Sequence, residues 1–285
     1  MRKIYRPKKK YHLKQLCHNP KIHLSEIDTS LIVDMSGLFE GFDGSSEEKS
    51  RNFDGIETWE MDNVCNLSNM FYESNFNHPI ESWSVGNARN MAGMFSHTPF
   101  NQPLNSWNVS SVENMCHLFA SSAFNQPLHS WDVGNVKFMD AMFSSTPFNQ
   151  NIAQWNIRNA IDLSFMFEDC PFNQPLDSWD VSNVRDMYAM FRGSEFDQSL
   201  SSWDVSNVEN MDEMFANSKF NHSLDSWKLL AMREKPKDMF LNSAFQGSLE
   251  FFSTITPKQY QTYYLEKKWS KKLHSLFCKN MKRIL

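Results

Sequence analysis

Large apolar residues return at fixed positions along the chain, separated by short polar segments. Tryptophan recurs every 24 residues, at Trp59, Trp83, Trp107, Trp131, Trp155, Trp179, Trp203 and Trp227. A constant interval of this size is typical of a solenoid, in which each repeat adds one coil to a shared core. A degenerate first repeat with Ile27 in the tryptophan position brings the total to about nine. We therefore predict one continuous solenoid over residues 24–249.

The first half of each repeat has the alternation of a short strand. In the repeat around Trp179, the apolar residues Leu176, Trp179 and Val181 contrast with the polar Ser178 and Asp180. Successive side chains of a strand point to opposite faces, so Trp179 and Val181 share one face. That apolar face is predicted to point into the core.

The second half of each repeat has a spacing that fits a short helix. Val184, Met187, Met190 and Phe191 fall at i, i+3, i+6 and i+7, which places them on one helical stripe. The predicted fold is therefore an α/β repeat solenoid, with one short parallel strand and one short helix in each 24-residue coil. Recurring methionines on the stripe are interpreted as adaptable core residues.

The two ends of the chain differ from the solenoid in charge. Residues 1–22 carry eight Lys/Arg and no acid, and residues 256–285 carry eight Lys/Arg and one acid. Subtraction leaves 28 − 16 = 12 basic and 33 − 1 = 32 acidic residues between them, a net charge of −20. We predict a basic N-terminal cap helix within residues 1–23 and a basic helical C-terminal cap or tail over residues 250–285.

The recurring motif F-N-Q-P-L-x-S-W-D-V-S-N-V-x-x-M-x-x-M-F resembles the BspA-type leucine-rich repeat of bacterial surface proteins over about residues 24–249. The resemblance implies a leucine-rich-repeat-like solenoid used for surface display, adhesion or partner binding. It brings no catalytic residues. A bacterial cell-surface location is what the resemblance suggests, whereas the start of the sequence shows no export signal, so a cytoplasmic location is the alternative.

The tryptophan column allows two interpretations. Aromatic platforms hold sugars or bases, but each tryptophan shares its predicted face with valine and with leucine or isoleucine. We therefore expect the tryptophans to form a structural ladder in the core. Recurring asparagines and glutamines are likewise expected to satisfy turn backbone groups from coil to coil.

The outward positions beside tryptophan are the candidate binding site. Stacking would align them as small, partly acidic columns on one face, flat enough for a protein or a glycan to lie on. A merely solvated face is the alternative. The candidate residues are Asn108, Asp132, Asn156, Asp180, Asp204, Ser130 and Ser178.

No sequence motif indicates an enzyme, a metal site or a cofactor. The nine histidines are not paired at metal-ligand spacing, and the five cysteines include no C-x-x-C pair. We expect reduced thiols, and no apolar run approaches the roughly 18 residues that a membrane span needs. Nucleic acid is not expected as a partner in the main hypothesis.

A non-enzymatic binding module is thus the main functional hypothesis, as an adhesion protein or an interaction scaffold. The alternative is an assembly protein whose basic ends bind a second copy, nucleic acid or anionic lipid. Salt separates the two, because contacts made by the basic ends should weaken steeply with ionic strength.

Overall fold

The computed structural model describes residues 3–46, 49 and 51–255. One compact unit extends over Met1–Ile255 and another over Thr256–Leu285. The second unit lies outside the described residues, and so does most of the predicted C-terminal cap. The described regular elements are the α-helix α1 (Lys10–Cys17) and 3-10 helices at Leu24–Glu26, Ile56–Thr58 and Glu250–Thr254.

Parallel pairing between neighbouring coils occurs at one position per repeat. Each of eight successive coils contributes one residue to these isolated parallel bridges, 24 residues from the next in the regular coils. Because the same position pairs in each coil, the repeats stack in register. The paired residues are Asp34, Asn66, Asn90, Asn114, Phe138, Asp162, Asp186 and Asn210.

The helix predicted in each repeat is not confirmed, because the described repeats contain turns at that position. Ala189 has a left-handed φ of 49°, which interrupts a right-handed helix. Its N–H donates to the carbonyl of Asp212 in the next coil (2.9 Å), whereas a helix would require a bond within the coil. The neighbouring N–H of Met190 donates to Met187, three residues back (3.2 Å).

This segment, which we call the turn ladder, comprises residues 187–194 and its equivalents in other coils. Alternate N–H groups, at Met187, Ala189, Phe191 and Gly193, donate to the next coil. Those of Met190, Arg192 and Ser194 donate three residues back in the same coil. Each of these N–H groups therefore has a partner without a helix.

The predicted strand is also not confirmed at its expected position. Trp179 N–H donates to the Leu176 carbonyl (3.0 Å), which closes a turn, and the parallel bridge lies at Asp186. Between residues 176 and 181, the described contacts with the preceding coil come from side chains: Trp179 Nε1 donates to the Ile152 carbonyl and Ser178 Oγ to the Ala153 carbonyl. The alternation of buried and exposed residues is therefore present without a strand.

The aromatic part of the core is arranged as one tryptophan column and two phenylalanine columns, packed among buried leucine, valine and methionine side chains. Phe191 stacks on Phe196 in its own coil, with ring centroids 4.1 Å apart, and on Phe215 of the next coil at 5.7 Å. Phe196 stacks on Phe220 at 6.3 Å. Offset stacking of this kind adds about 0.5–1.5 kcal/mol per pair beyond the area that the rings bury.

Helix α1 closes the N-terminal end of the stack. Leu13 and Cys17 are fully buried, while Lys14 Nζ donates to the Gly37 carbonyl (3.2 Å) and His18 Nε2 contacts the Leu38 carbonyl at 3.4 Å. The helix is shorter than the predicted segment 1–23 and lies inside it. Among the described residues, no helix is long and apolar enough to cross a membrane.

Candidate binding surface

The residue that follows each tryptophan lies on the surface of the stack. We call the set Asn108, Asp132, Asn156, Asp180 and Asp204 the Asx column. Each is exposed and sits between a buried tryptophan and a buried valine or isoleucine. The structure thus places these predicted site residues at equivalent positions in five successive coils.

Each member of the Asx column is held by its own turn. Asp180 Oδ1 accepts hydrogen bonds from the Ser182 N–H (3.1 Å) and hydroxyl (2.6 Å), and Asp132 Oδ1 accepts from the Gly134 N–H (3.0 Å). Asn108, Asn156 and Asp204 accept in the same way from the residue two positions on. A side chain fixed in this way loses little further freedom when a partner binds.

Asp180 is the member of the Asx column whose charge is favoured by its surroundings and paired with a cation. The hydrogen bonds from Ser182 and the nearby Arg158 lower the pKa of the Asp180 carboxyl below its usual value, with the Ser182 hydroxyl as the largest cause. Arg158 Nε lies 3.7 Å from Asp180 Oδ2. Both groups are largely exposed, so this ion pair contributes little to stability.

The two candidate serines make contacts between coils. Ser178 Oγ donates to the Ala153 carbonyl (2.6 Å), and Ser130 Oγ accepts from Asn105 Nδ2 (3.1 Å). Ser130 N–H also donates to Asn105 Oδ1 (3.0 Å). These serines therefore fix neighbouring coils together beside the Asx column.

A shallow open groove lies along one part of the Asx column. Its polar lining comprises Glu81, Asn105, Ser106, Asn108, Ser130 and Asp132. Sequence reasoning missed Glu81 and Asn105, which lie two residues before tryptophan, although this position recurs at the same interval. The groove exposes carboxylates, amides and hydroxyls together, groups that accept and donate hydrogen bonds to a protein or a glycan.

Trp107 lines the groove, but the tryptophans do not form an exposed stacking platform. All eight have 4% or less of their surface exposed, and each indole N–H donates to a backbone carbonyl of an earlier coil. For Trp131 the acceptor is Leu104, at 2.9 Å. Their rings pack in the core, where neighbouring tryptophans such as Trp131 and Trp155 stack with centroids 6.4 Å apart.

The recurring amides connect the coils. Asn183 Nδ2 donates to the Arg158 carbonyl (2.8 Å), and Asn207 Nδ2 donates to the Ser182 carbonyl (2.8 Å). In a second ladder, Asn149 Oδ1 accepts from the Asn173 N–H (3.0 Å) and from Gln174 Nε2 (3.0 Å). These amides satisfy backbone groups that would otherwise need water.

A second acidic strip, which the sequence hypotheses did not include, consists of Asp140, Asp162 and Asp186. Asp162 and Asp186 are bridge residues, and Asp140 lies two residues after the bridge residue Phe138. Burial raises the pKa of the Asp162 carboxyl to about 6, and the charge of Asp140 adds to the shift, against hydrogen bonds from Ser164. Burial also raises the pKa of Asp186. Asp140 Oδ1 accepts a hydrogen bond from the Cys116 thiol (2.6 Å).

The described part of the chain contains no group of three or more His, Cys, Asp or Glu side chains placed to hold a metal ion. Four cysteines there form no disulfide with one another, namely Cys17, Cys65, Cys116 and Cys170. Burial raises the pKa of the Cys170 thiol to about 11, which disfavours the reactive thiolate.

The family model described as "Mycoplasma protein of unknown function, DUF285" matches residues 11–98, 42–152 and 144–254. No curated protein and no solved structure matches the chain. The three family matches follow one another along the repeats and together span residues 11–254. The chain is therefore a tandem-repeat protein that belongs to the DUF285 family.

Proposed function

We propose that this protein is a non-enzymatic binding module that holds a protein or glycan partner on the Asx column and its groove. The observation that carries the proposal is the alignment of five exposed Asx side chains, each fixed by its own turn. A rigid array lowers the ordering cost of binding, because its side chains are already in place.

Several coils must act together in this proposal. One exposed ion pair contributes only about 0–1 kcal/mol, so a single aspartate gives little affinity. The period of 24 residues repeats the same acceptor in each coil, and an elongated partner can contact several at once. The carboxylates favour a partner with basic groups or with hydroxyl donors. A relation to the leucine-rich repeats of bacterial surface proteins, with a role in adhesion or as a scaffold, is part of the same proposal.

The alternative, assembly through the basic ends, receives less support at the N-terminus. Lys3 Nζ donates to the carbonyls of Ile27 (3.0 Å) and Thr58 (3.1 Å), while Arg6 pairs with Asp28 (3.0 Å) and Lys10 with Asp34 (3.3 Å). These cations serve the chain's own first coils. The basic residues of the C-terminal segment lie outside the described part of the chain.

The test replaces Asp132, Asp180 and Asp204 by lysine in the full-length chain. Three such changes move the net charge from −5 to +1. The control variant replaces the exposed acids Glu73, Glu195 and Glu234 by lysine, with the same change in charge. Partners are identified by capture from an extract of the source cells and by binding to a glycan array.

We expect both variants to fold, with a lower melting temperature for the Asx variant because it loses three turn hydrogen bonds. We expect the Asx variant alone to lose at least tenfold in partner affinity. Equal binding by the parent and the folded Asx variant would show that the binding site lies elsewhere. Assembly through the basic ends would be favoured if the Asx variant bound as the parent does and if the parent and both variants lost affinity steeply as salt increased.

A further inference from the structure

At the C-terminal end of the described stack, three backbone N–H groups of the last turn ladder have no acceptor in a following coil. In inner coils the N–H groups of Glu213, Phe215 and Asn217 donate to the carbonyls of Lys237, Met239 and Leu241. The equivalent N–H groups one coil later belong to Asp238, Phe240 and Asn242, and they have no acceptor among the described residues. An edge of unpaired backbone groups is a template for pairing.

The same end leaves apolar surface uncovered. Phe240 and Phe245 continue the two phenylalanine columns and stack on each other at 4.0 Å, but both are only partly buried, whereas Phe215 and Phe220 are fully buried. Leu241 and Leu249 are 50% and 52% exposed. The tryptophan column, in contrast, is covered at this end by Phe251, whose ring contacts that of Trp227 edge-on at 6.3 Å.

From these features we propose that the edge formed by Asp238, Phe240 and Asn242 binds a peptide segment of a partner protein that adopts the successive turns of an inner coil. The segment would present backbone carbonyls two residues apart and apolar side chains that cover Phe240, Phe245 and Leu241. Each inner coil provides the model for this interaction, because the following coil supplies the same carbonyls to it. Pairing of a peptide backbone with an exposed backbone edge is a recurring mode of peptide recognition.

The chemistry of the edge favours such a segment over a second copy of the chain. The carbonyls of Asp238 and Phe240 already accept from Leu241 and Ser243, so this edge offers donors, and two copies meeting at it would place donor against donor. The opposite end of a second copy is covered by α1 and by His18 just after it, which contact the carbonyls of Gly37 and Leu38. This edge is separate from the Asx column, and peptide binding at the edge does not depend on binding at the column.

The test uses the full-length chain and a synthetic peptide with the sequence of residues 205–227, which carries the carbonyl side of a natural coil. A scrambled peptide is the control. Hydrogen exchange is followed by mass spectrometry over residues 237–245, at several protein concentrations. Peptide affinity is measured for the parent, for Leu241→Glu with Leu249→Glu, and for Leu31→Glu, an exposed leucine near the other end.

We expect rapid exchange in the free chain, at least tenfold slower exchange with the coil peptide, and at least tenfold weaker binding by the double variant alone. Slow exchange without peptide at every concentration would show that another segment of the chain occupies the edge. If exchange without peptide slows only as the protein concentration rises, the edge is occupied by a second copy of the chain. Either result, or equal peptide binding by the double variant, would overturn the proposal.

Discussion

Asparagine and aspartate act in three ways within one coil, and their position in the repeat decides which. Asp180, next to tryptophan, forms an exposed turn with Ser182. Asn183 donates across to the preceding coil, and Asp186 occupies the half-buried bridge position. The sequence predicted the structural use of Asn183, because an amide can donate and accept. It did not reveal the acidic strip at Asp186, because the bridge position was interpreted as part of a helix.

The first prediction for single residues concerns the tryptophan column. Trp131→Ala should lower the free energy of unfolding by about 3–5 kcal/mol, since it leaves a core cavity and an unpaired Leu104 carbonyl. Trp131→Phe, which keeps most of the ring but loses the N–H, should cost less. Chemical denaturation measures both, and an alanine variant as stable as the parent would contradict a structural role.

The bridge position gives a prediction about pH. The pKa of Asp162 is about 6 in the folded chain, above its usual 3.8, so folding favours the protonated acid. The folded state binds the extra proton between these values, and this group therefore lowers stability as pH rises from about 4 to 6. Asp162→Asn, which places at this position the residue found at Asn114 and Asn210, should raise stability at pH 7.5 by on the order of 2 kcal/mol.

At pH 4 the same substitution should have a much smaller effect. Asp180→Asn is the control, because its lowered pKa predicts a contribution of the opposite sign, present above its unfolded pKa and lost as pH falls. Thermal melts from pH 4 to 7.5 measure both. A gain from Asp162→Asn that is the same at all pH values would contradict the assigned cause.

At the scale of the element, the turn ladder shows what the periodicity could and could not predict. The positions of Val184, Met187 and Met190 predicted buried side chains, and all three are fully buried. Their spacing fits a helix, but it also fits consecutive turns that bond three residues back. The left-handed backbone at Ala189 and at Phe165 in the preceding coil selects the turns. Neither residue type favours that conformation, so the sequence did not reveal it.

Two glycines of the turn ladder allow the cost of backbone strain to be distinguished from the cost of steric crowding. Gly41 and Gly193 have φ values of 76° and 66°, so replacement by alanine should cost each about 1 kcal/mol. A Cβ at Gly41 meets no atom within 4 Å, whereas a Cβ at Gly193 would fall on the Asp169 carboxylate. Gly193→Ala should therefore be the more destabilising change.

Adding Asp169→Ala to Gly193→Ala should remove the difference, so that the cost approaches that of Gly41→Ala. Chemical denaturation of the single and double variants forms a double-mutant cycle. Equal losses for the two glycine variants, or additive losses in the cycle, would show that the carboxylate does not restrict residue 193.

At the scale of the whole molecule, the 24-residue period predicted the stacking of the repeats and the residues on each surface. The Asx column lies on the exposed side because Trp and Val on either side of it are buried. The open end at Asp238, Phe240 and Asn242 was not predicted, because backbone pairing between coils leaves no mark on residue type. The rigidity that the binding proposal requires depends on the continuity of that pairing through the stack.

Native-state hydrogen exchange along the full-length chain tests this continuity most directly. The ladder segments 113–122 and 185–194, on either side of Trp131 and Trp155, should exchange slowly in water and should open at the same denaturant concentration, because one stack joins them. Rapid exchange in either segment would contradict the turn ladder. Opening of the two at clearly different denaturant concentrations would show that the repeats do not form one cooperative stack.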